Sequence, residues 1–126
     1  MDSQQNKVTG VSGQALAEEF LQREQYSIIA RNFRIRQGEI DIVARDGDTI
    51  CFVEVKARNS LAAGLPEESV SKSKQQRMNR AALIYLQDQQ MLGVKARFDV
   101  VAIEFPQGAE PLVRLYKNAF DATGDY

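Results

Sequence analysis

Asp41 lies in the apolar run Ile40-Asp41-Ile42-Val43, and Glu54 and Lys56 lie in Phe52-Val53-Glu54-Val55-Lys56. Carboxylates in such surroundings cost free energy unless they are paired or bound to a cation. If both runs are strands, alternation places Glu54 and Lys56 on one face, about 7 Å apart. Between the runs stands Asp46-Gly47-Asp48, a hairpin signal. With Gly47-Asp48 as the two loop residues, Asp41 falls opposite Glu54; with Asp46-Gly47 it falls opposite Phe52 and diagonal to Glu54. A three-residue loop without a bulge would turn Asp41 away, because a slip of one residue reverses the face. Two carboxylates on adjacent strands can hold magnesium or manganese, with waters and the Val55 carbonyl completing the shell. An ammonium beside them can orient or deprotonate an attacking water, and the metal would polarise a phosphoryl oxygen. Phosphodiester hydrolysis is the reaction that fits. An acid followed by E-x-K also arises by chance, and the competing reading is an ion pair of Glu54 with Lys56 or Arg45 on a half-exposed sheet face.

The chain contains no histidine and one cysteine, Cys51. Hydrolysis through an imidazole base is excluded, as is zinc held by Cys/His ligands, so any metal must sit on oxygen. At 126 residues, 44% hydrophobic and 26% charged, the chain fits one soluble globular domain. No apolar run reaches the roughly 20 residues of a membrane helix. The polar start Met1-Asp2-Ser3-Gln4-Gln5-Asn6 lacks a secretory layout, so no membrane association and a cytoplasmic location are expected. A single thiol agrees with a reducing compartment. Net charge is −1, yet residues 72–97 hold six basic residues and one acid, and Arg31, Arg34 and Arg36 form a second basic cluster. A local basic face on a neutral protein can bind phosphate, although Lys and Arg more often only solvate a helix.

Residues 1–9 read as a flexible N-terminal tail, 10–121 as a single domain and 122–126 as a C-terminal tail. Ala17, Phe20 and Leu21 recur at helical spacing, which predicts a helix from Gln14 to about Gln25. Strands are expected over Ser27–Ile35, Glu39–Arg45 and Thr49–Arg58, followed by a mobile loop over Asn59–Glu68. A second helix should start at Ser69 or Ser71, carry Met78, Ala81, Ala82, Tyr85 and Leu86 inward, and stop before Gly93. Phe98–Phe105 and Leu112–Tyr116 read as the last strands. The order α-β-β-β-α-β-β, with a strand-helix-strand crossover, predicts an α/β fold with a mixed sheet and a helix on each face. Cys51, Phe33, Phe52, Phe98 and Phe105 read as core, and Asp99 as the ion-pair partner of Arg97.

These residues resemble a known family. Gly38-Glu39-Ile40-Asp41-Ile42-Val43, Phe52-Val53-Glu54-Val55-Lys56-Ala57-Arg58, Val70 with Lys74 and Arg77, and Arg97-Phe98-Asp99-Val100-Val101 are similar to the YraN-like family of bacterial proteins. That family is related to Holliday-junction resolvases and restriction-endonuclease-like nucleases. The resemblance implies a restriction-endonuclease-like fold and a D…E-x-K nuclease centre, with Asp41 and Glu54 as metal-binding acids and Lys56 as catalytic lysine. It implies DNA as partner, RNA as a further candidate, and a homodimer of the kind related resolvases form. Lys74 and Arg77 match positions suited to gripping phosphate. Many relatives carry a glutamate on the first helix where this chain has Gln14. Gln14 then serves as an outer ligand, or Glu18 one turn later substitutes, or activity is reduced. The alternative function is a weak or inactive nuclease-fold protein that binds nucleic acid.

Overall fold

Gly47 and Asp48 form the whole connection between two antiparallel strands, with Asp46 pairing Thr49 across the turn. Gly47 takes φ 63°, a conformation open to glycine at little cost. The register therefore follows the first of the two loop alternatives. The computed structural model describes residues 2–58 and 70–121, with side chains from residue 13 onward. Its elements are α1 (Asp2–Arg23), β1 (Ser27–Ile35), β2 (Gly38–Asp46), β3 (Thr49–Arg58), α2 (Lys72–Asp88), β4 (Ala96–Glu104) and β5 (Leu112–Phe120).

The five strands form one sheet in the order β1-β2-β3-β4-β5, antiparallel except for the parallel pair β3 and β4 that α2 connects. One face packs α2 through Met78, Ala81, Ala82 and Tyr85 onto Ile40, Val43, Ile50, Phe52, Phe98 and Val100. The other packs α1 through Ala17 and Leu21 onto Ile42, Ala44, Cys51, Val53, Val101 and Ile103. This mixed α/β arrangement is consistent with a restriction-endonuclease-like fold. Phe33 and Phe105 pack against the two cores, so none of the four expected phenylalanines is a free stacking platform. No helix among the described residues is long and apolar enough to cross a membrane.

Several boundaries differ from expectation. The bounds of α1 take in residues 2–9, which the sequence sets apart as a loose tail. Ser71, and not Ser69, caps α2: its hydroxyl accepts the Lys74 amide at 3.1 Å. The helix ends at Asp88, four residues short of Leu92, because Gln90 at φ 56° and Gly93 at φ 91° turn the chain. β5 runs on to Phe120 because a bulge opposite Asp99 absorbs the irregularity at Asn118, φ 52°. The loop expected over Asn59–Glu68 and the tail 122–126 lie outside the described residues.

Candidate functional site

The alternation of β2 breaks at Asp41. Ile40 packs in the α2 core, whereas Ile42, two residues on, packs in the α1 core. On β1 the facing stretch contains Asn32 at φ 52°, between the pairs Arg31 with Ile42 and Phe33 with Ile40. The β2–β3 ladder runs from Asp46 and Thr49 to Ile42 and Val53. Just past it, the Asp41 carboxylate accepts the Val55 amide at 2.9 Å, in place of a backbone acceptor.

Glu54 follows Val53 and is only 4% exposed. Its Oε2 lies 3.1 Å from Lys74 Nζ and 3.7 Å from Lys56 Nζ. Lys56 comes from the same strand two residues on, as alternation requires, and Lys74 comes from the first turn of α2. Both ammoniums remain partly open to solvent, while the carboxylate they flank is closed off. Burial, followed by the charge of Glu54, pushes Asp41 up to about 7 from an ordinary value of 3.8; the Val55 amide acts in the opposite direction. Two carboxyl groups thus sit against each other, with the cost of that proximity visible on Asp41.

Among the described residues no group of three or more His, Cys, Asp or Glu is placed to hold a metal. Asp41 and Glu54 form a two-carboxylate donor set, with Val55 between them and Lys56 in sequence. All-oxygen donors suit magnesium or manganese and no thiophilic metal. The donors present fit such an ion, provided that water fills the remainder of its shell.

Gln14 and Glu18 stand on the α1 side. Gln14 Nε2 donates to the Asp41 carbonyl and to Glu18 Oε2, both at 3.4 Å, so it touches the backbone of Asp41 and leaves its carboxylate alone. Glu18 is held by Arg31 at 2.8 Å. Lys74 plays a part that sequence spacing does not reveal, because only the crossover through α2 brings it to Glu54. Arg77, one turn along α2, borders a cleft beside the site. Arg45, the other cation considered for Glu54, lies at the hairpin end opposite Ile50.

A second polar cluster gathers Tyr26, Asp46, Arg97 and Asp99. Asp99, fully buried, accepts Arg97 Nε at 3.0 Å, Tyr26 Oη at 3.2 Å and the Asn118 amide at 2.9 Å. Arg97 also donates to Asp46 at 2.7 Å. Hydrogen bonds from Arg97 hold Asp46 below the usual carboxylate range, and burial pushes the neighbouring Cys51 thiol up to about 12. Every carboxylate here has a partner, so the cluster is a buried structural network and Cys51 is an inert core thiol.

Comparison with known proteins gives one consistent answer. Residues 13–103 match the model of a family described as uncharacterised protein family UPF0102. A UPF0102 protein of Geobacter sulfurreducens is 48% identical over 119 residues, covering 94% of this chain and 93% of its own. A UPF0102 protein of Desulfosudis oleivorans is 48% identical over 118 residues, covering 94% of each. One from Acetivibrio thermocellus is 44% identical over 119 residues, covering 90% of this chain and 92% of its own.

Proposed function

The chain belongs to the UPF0102 family of uncharacterised proteins, and from its paired carboxylates we propose that it is a metal-dependent endonuclease hydrolysing DNA phosphodiester bonds, with branched or damaged DNA as preferred substrate. The observation that carries this reading is the meeting of Asp41, Glu54, Lys56 and Lys74 at the point where the β2–β3 ladder ends. Asp41, Glu54 and the Val55 carbonyl would hold magnesium or manganese, which when bound supplies Lewis acidity and charge neutralisation at the attacked phosphoryl group.

The protein's own groups divide the remaining work. Burial makes the Asp41–Glu54 pair a poor resting place for two negative charges, and so a strong site for a divalent cation. Lys56, partly open to solvent, orients the attacking water and offsets negative charge that develops on the phosphoryl oxygens. Lys74 and Arg77 grip the flanking phosphate at the start of α2. The reading is of a cytoplasmic enzyme on DNA, with RNA as a second substrate to try and a homodimer as the working form.

Linear, flap and four-way DNA substrates with magnesium or manganese test the reading. Wild type should cleave at least one, chelator should stop it, and Asp41→Asn or Lys56→Ala should abolish it while the melting transition stays cooperative. Cleavage that persists in excess chelator would falsify the metal-dependent mechanism.

A second reading, a nuclease-fold protein that binds nucleic acid without cutting it, is favoured by Gln14. No third carboxylate joins Asp41 and Glu54 among the described residues. It predicts salt-dependent DNA binding with no products on any substrate.

A further inference from the structure

Beside Lys74 the surface opens into a cleft of about 440 Å³ between the β1–β2 turn and α2. Its walls carry Arg34 from the end of β1, Arg36 from the turn, and Lys74 and Arg77 from the helix, with Glu39 as the acid among them. Glu39 is engaged by Arg34 at 3.3 Å, while Arg36 and Arg77 have no ion-pair partner among the described residues. Two cations far apart in sequence, Arg36 and Arg77, thus converge on one concavity without an ion-pair partner among the described residues.

The cleft has a fixed floor. A Cβ at Gly38 would lie 2.5 Å from the Arg77 carbonyl oxygen, so only glycine lets the turn press directly onto the helix backbone at that residue. The close approach sets the spacing between Arg36 and Arg77. A solvated helix face needs no such contact.

Resting on the nuclease reading above, we propose that this cleft is a second phosphate site, which holds the strand's next phosphodiester while the first lies at Asp41 and Glu54. Lys74 borders both places, with its Nζ on Glu54 and its side chain in the cleft wall. Arg36 and Arg77 supply the charge-assisted hydrogen bonds, and guanidinium forks suit phosphate oxygens. The strand is thereby anchored from the β1–β2 side, which gives the site a direction along the nucleic acid.

The test is DNA binding by fluorescence anisotropy over a salt series, with chelator present so that nothing is cut. Arg36→Ala/Arg77→Ala is compared with wild type and with Arg36→Lys/Arg77→Lys. Each phosphate contact contributes about −0.9 to the slope of log K against log salt on duplex DNA. The alanine pair should weaken binding roughly tenfold at moderate salt and flatten the slope by about one to two units; the lysine pair should restore most of the slope. Both arginines are exposed, so the melting curves should match. An unchanged slope in the alanine pair, or wild-type binding that ignores salt, overturns the site. If wild type cuts no DNA with either metal but the alanine pair still flattens the slope, the phosphate site stands and the nuclease reading falls.

Discussion

Asp41 on β2 takes its hydrogen bond from the Val55 amide on β3, at 2.9 Å, one residue past Glu54. A side-chain oxygen thus serves where the ladder would otherwise present a carbonyl. The arrangement pins the Asp41 carboxylate to the backbone that also carries Glu54. The electrostatic cost is built in, and it gives measurable consequences.

Removing the charge of Asp41 should change how stability depends on pH. The folded group titrates near 7 against 3.8 when unfolded, because it is buried and faces Glu54. A raised folded value means that the stability it contributes is full below about 4 and lost as pH rises through about 7. At about 1.4 kcal/mol per unit, the swing is a few kcal/mol. Metal-free Asp41→Asn should therefore melt close to wild type at pH 4 and several degrees above it at pH 8. Parallel melting-temperature profiles would count against a buried, repelled carboxylate.

Magnesium should act on the same group. A cation that binds only the native state raises the melting temperature, by an amount that grows with its concentration over its dissociation constant. At pH 8 wild type should gain several degrees in millimolar magnesium, and Asp41→Asn should gain almost nothing. Equal gains in the two proteins would place the ion elsewhere.

Gln14→Glu replaces an amide donor with a carboxylate beside Glu18 and the Asp41 carbonyl. Without metal, the variant should lose about 1 kcal/mol through like-charge contact. With magnesium it should recover that loss and cleave DNA at least tenfold faster than wild type. Calorimetric melting and initial cleavage rates check the two halves separately. A variant with unaltered metal response shows that position 14 stands outside the site.

Arg97→Ala should cost about 3–5 kcal/mol, the usual result of stripping the partner from a buried carboxylate, here Asp99. Urea unfolding measures it. Asp99→Asn should also destabilise, yet its cleavage rate per folded molecule should equal that of wild type. A rate loss beyond stability would move Asp99 into the reaction.

The placing of Glu54 beside Lys56 is legible from strand period, and that of Asp41 across from Glu54 from loop parity, both local quantities. Gly47-Asp48 fixes the parity. The pairing of Asp99 with Arg97 is legible for the same reason, two residues apart on one strand. Other features depend on distant parts of the chain. Lys74 reaches Glu54 only through the crossover, and Tyr26 and Asp46 meet Arg97 from two other elements. The switch of faces between Ile40 and Ile42 leaves no mark in a run of apolar residues, since either face is buried. Helix and strand ends shift where Gln90 and Asn118 adopt positive φ, which residue type alone does not dictate.

The route by which the acids and their ammonium come together has a kinetic side. A two-residue turn brings Asp41 toward Glu54, whereas Lys74 reaches them only after the chain has left the sheet and returned as a helix. Short loops close at lower entropic cost than long ones, so the ribbon is the cheaper contact to form. The hairpin alone already holds Asp41, Glu54 and one ammonium, Lys56, and the second ammonium joins only when the crossover helix packs onto the sheet.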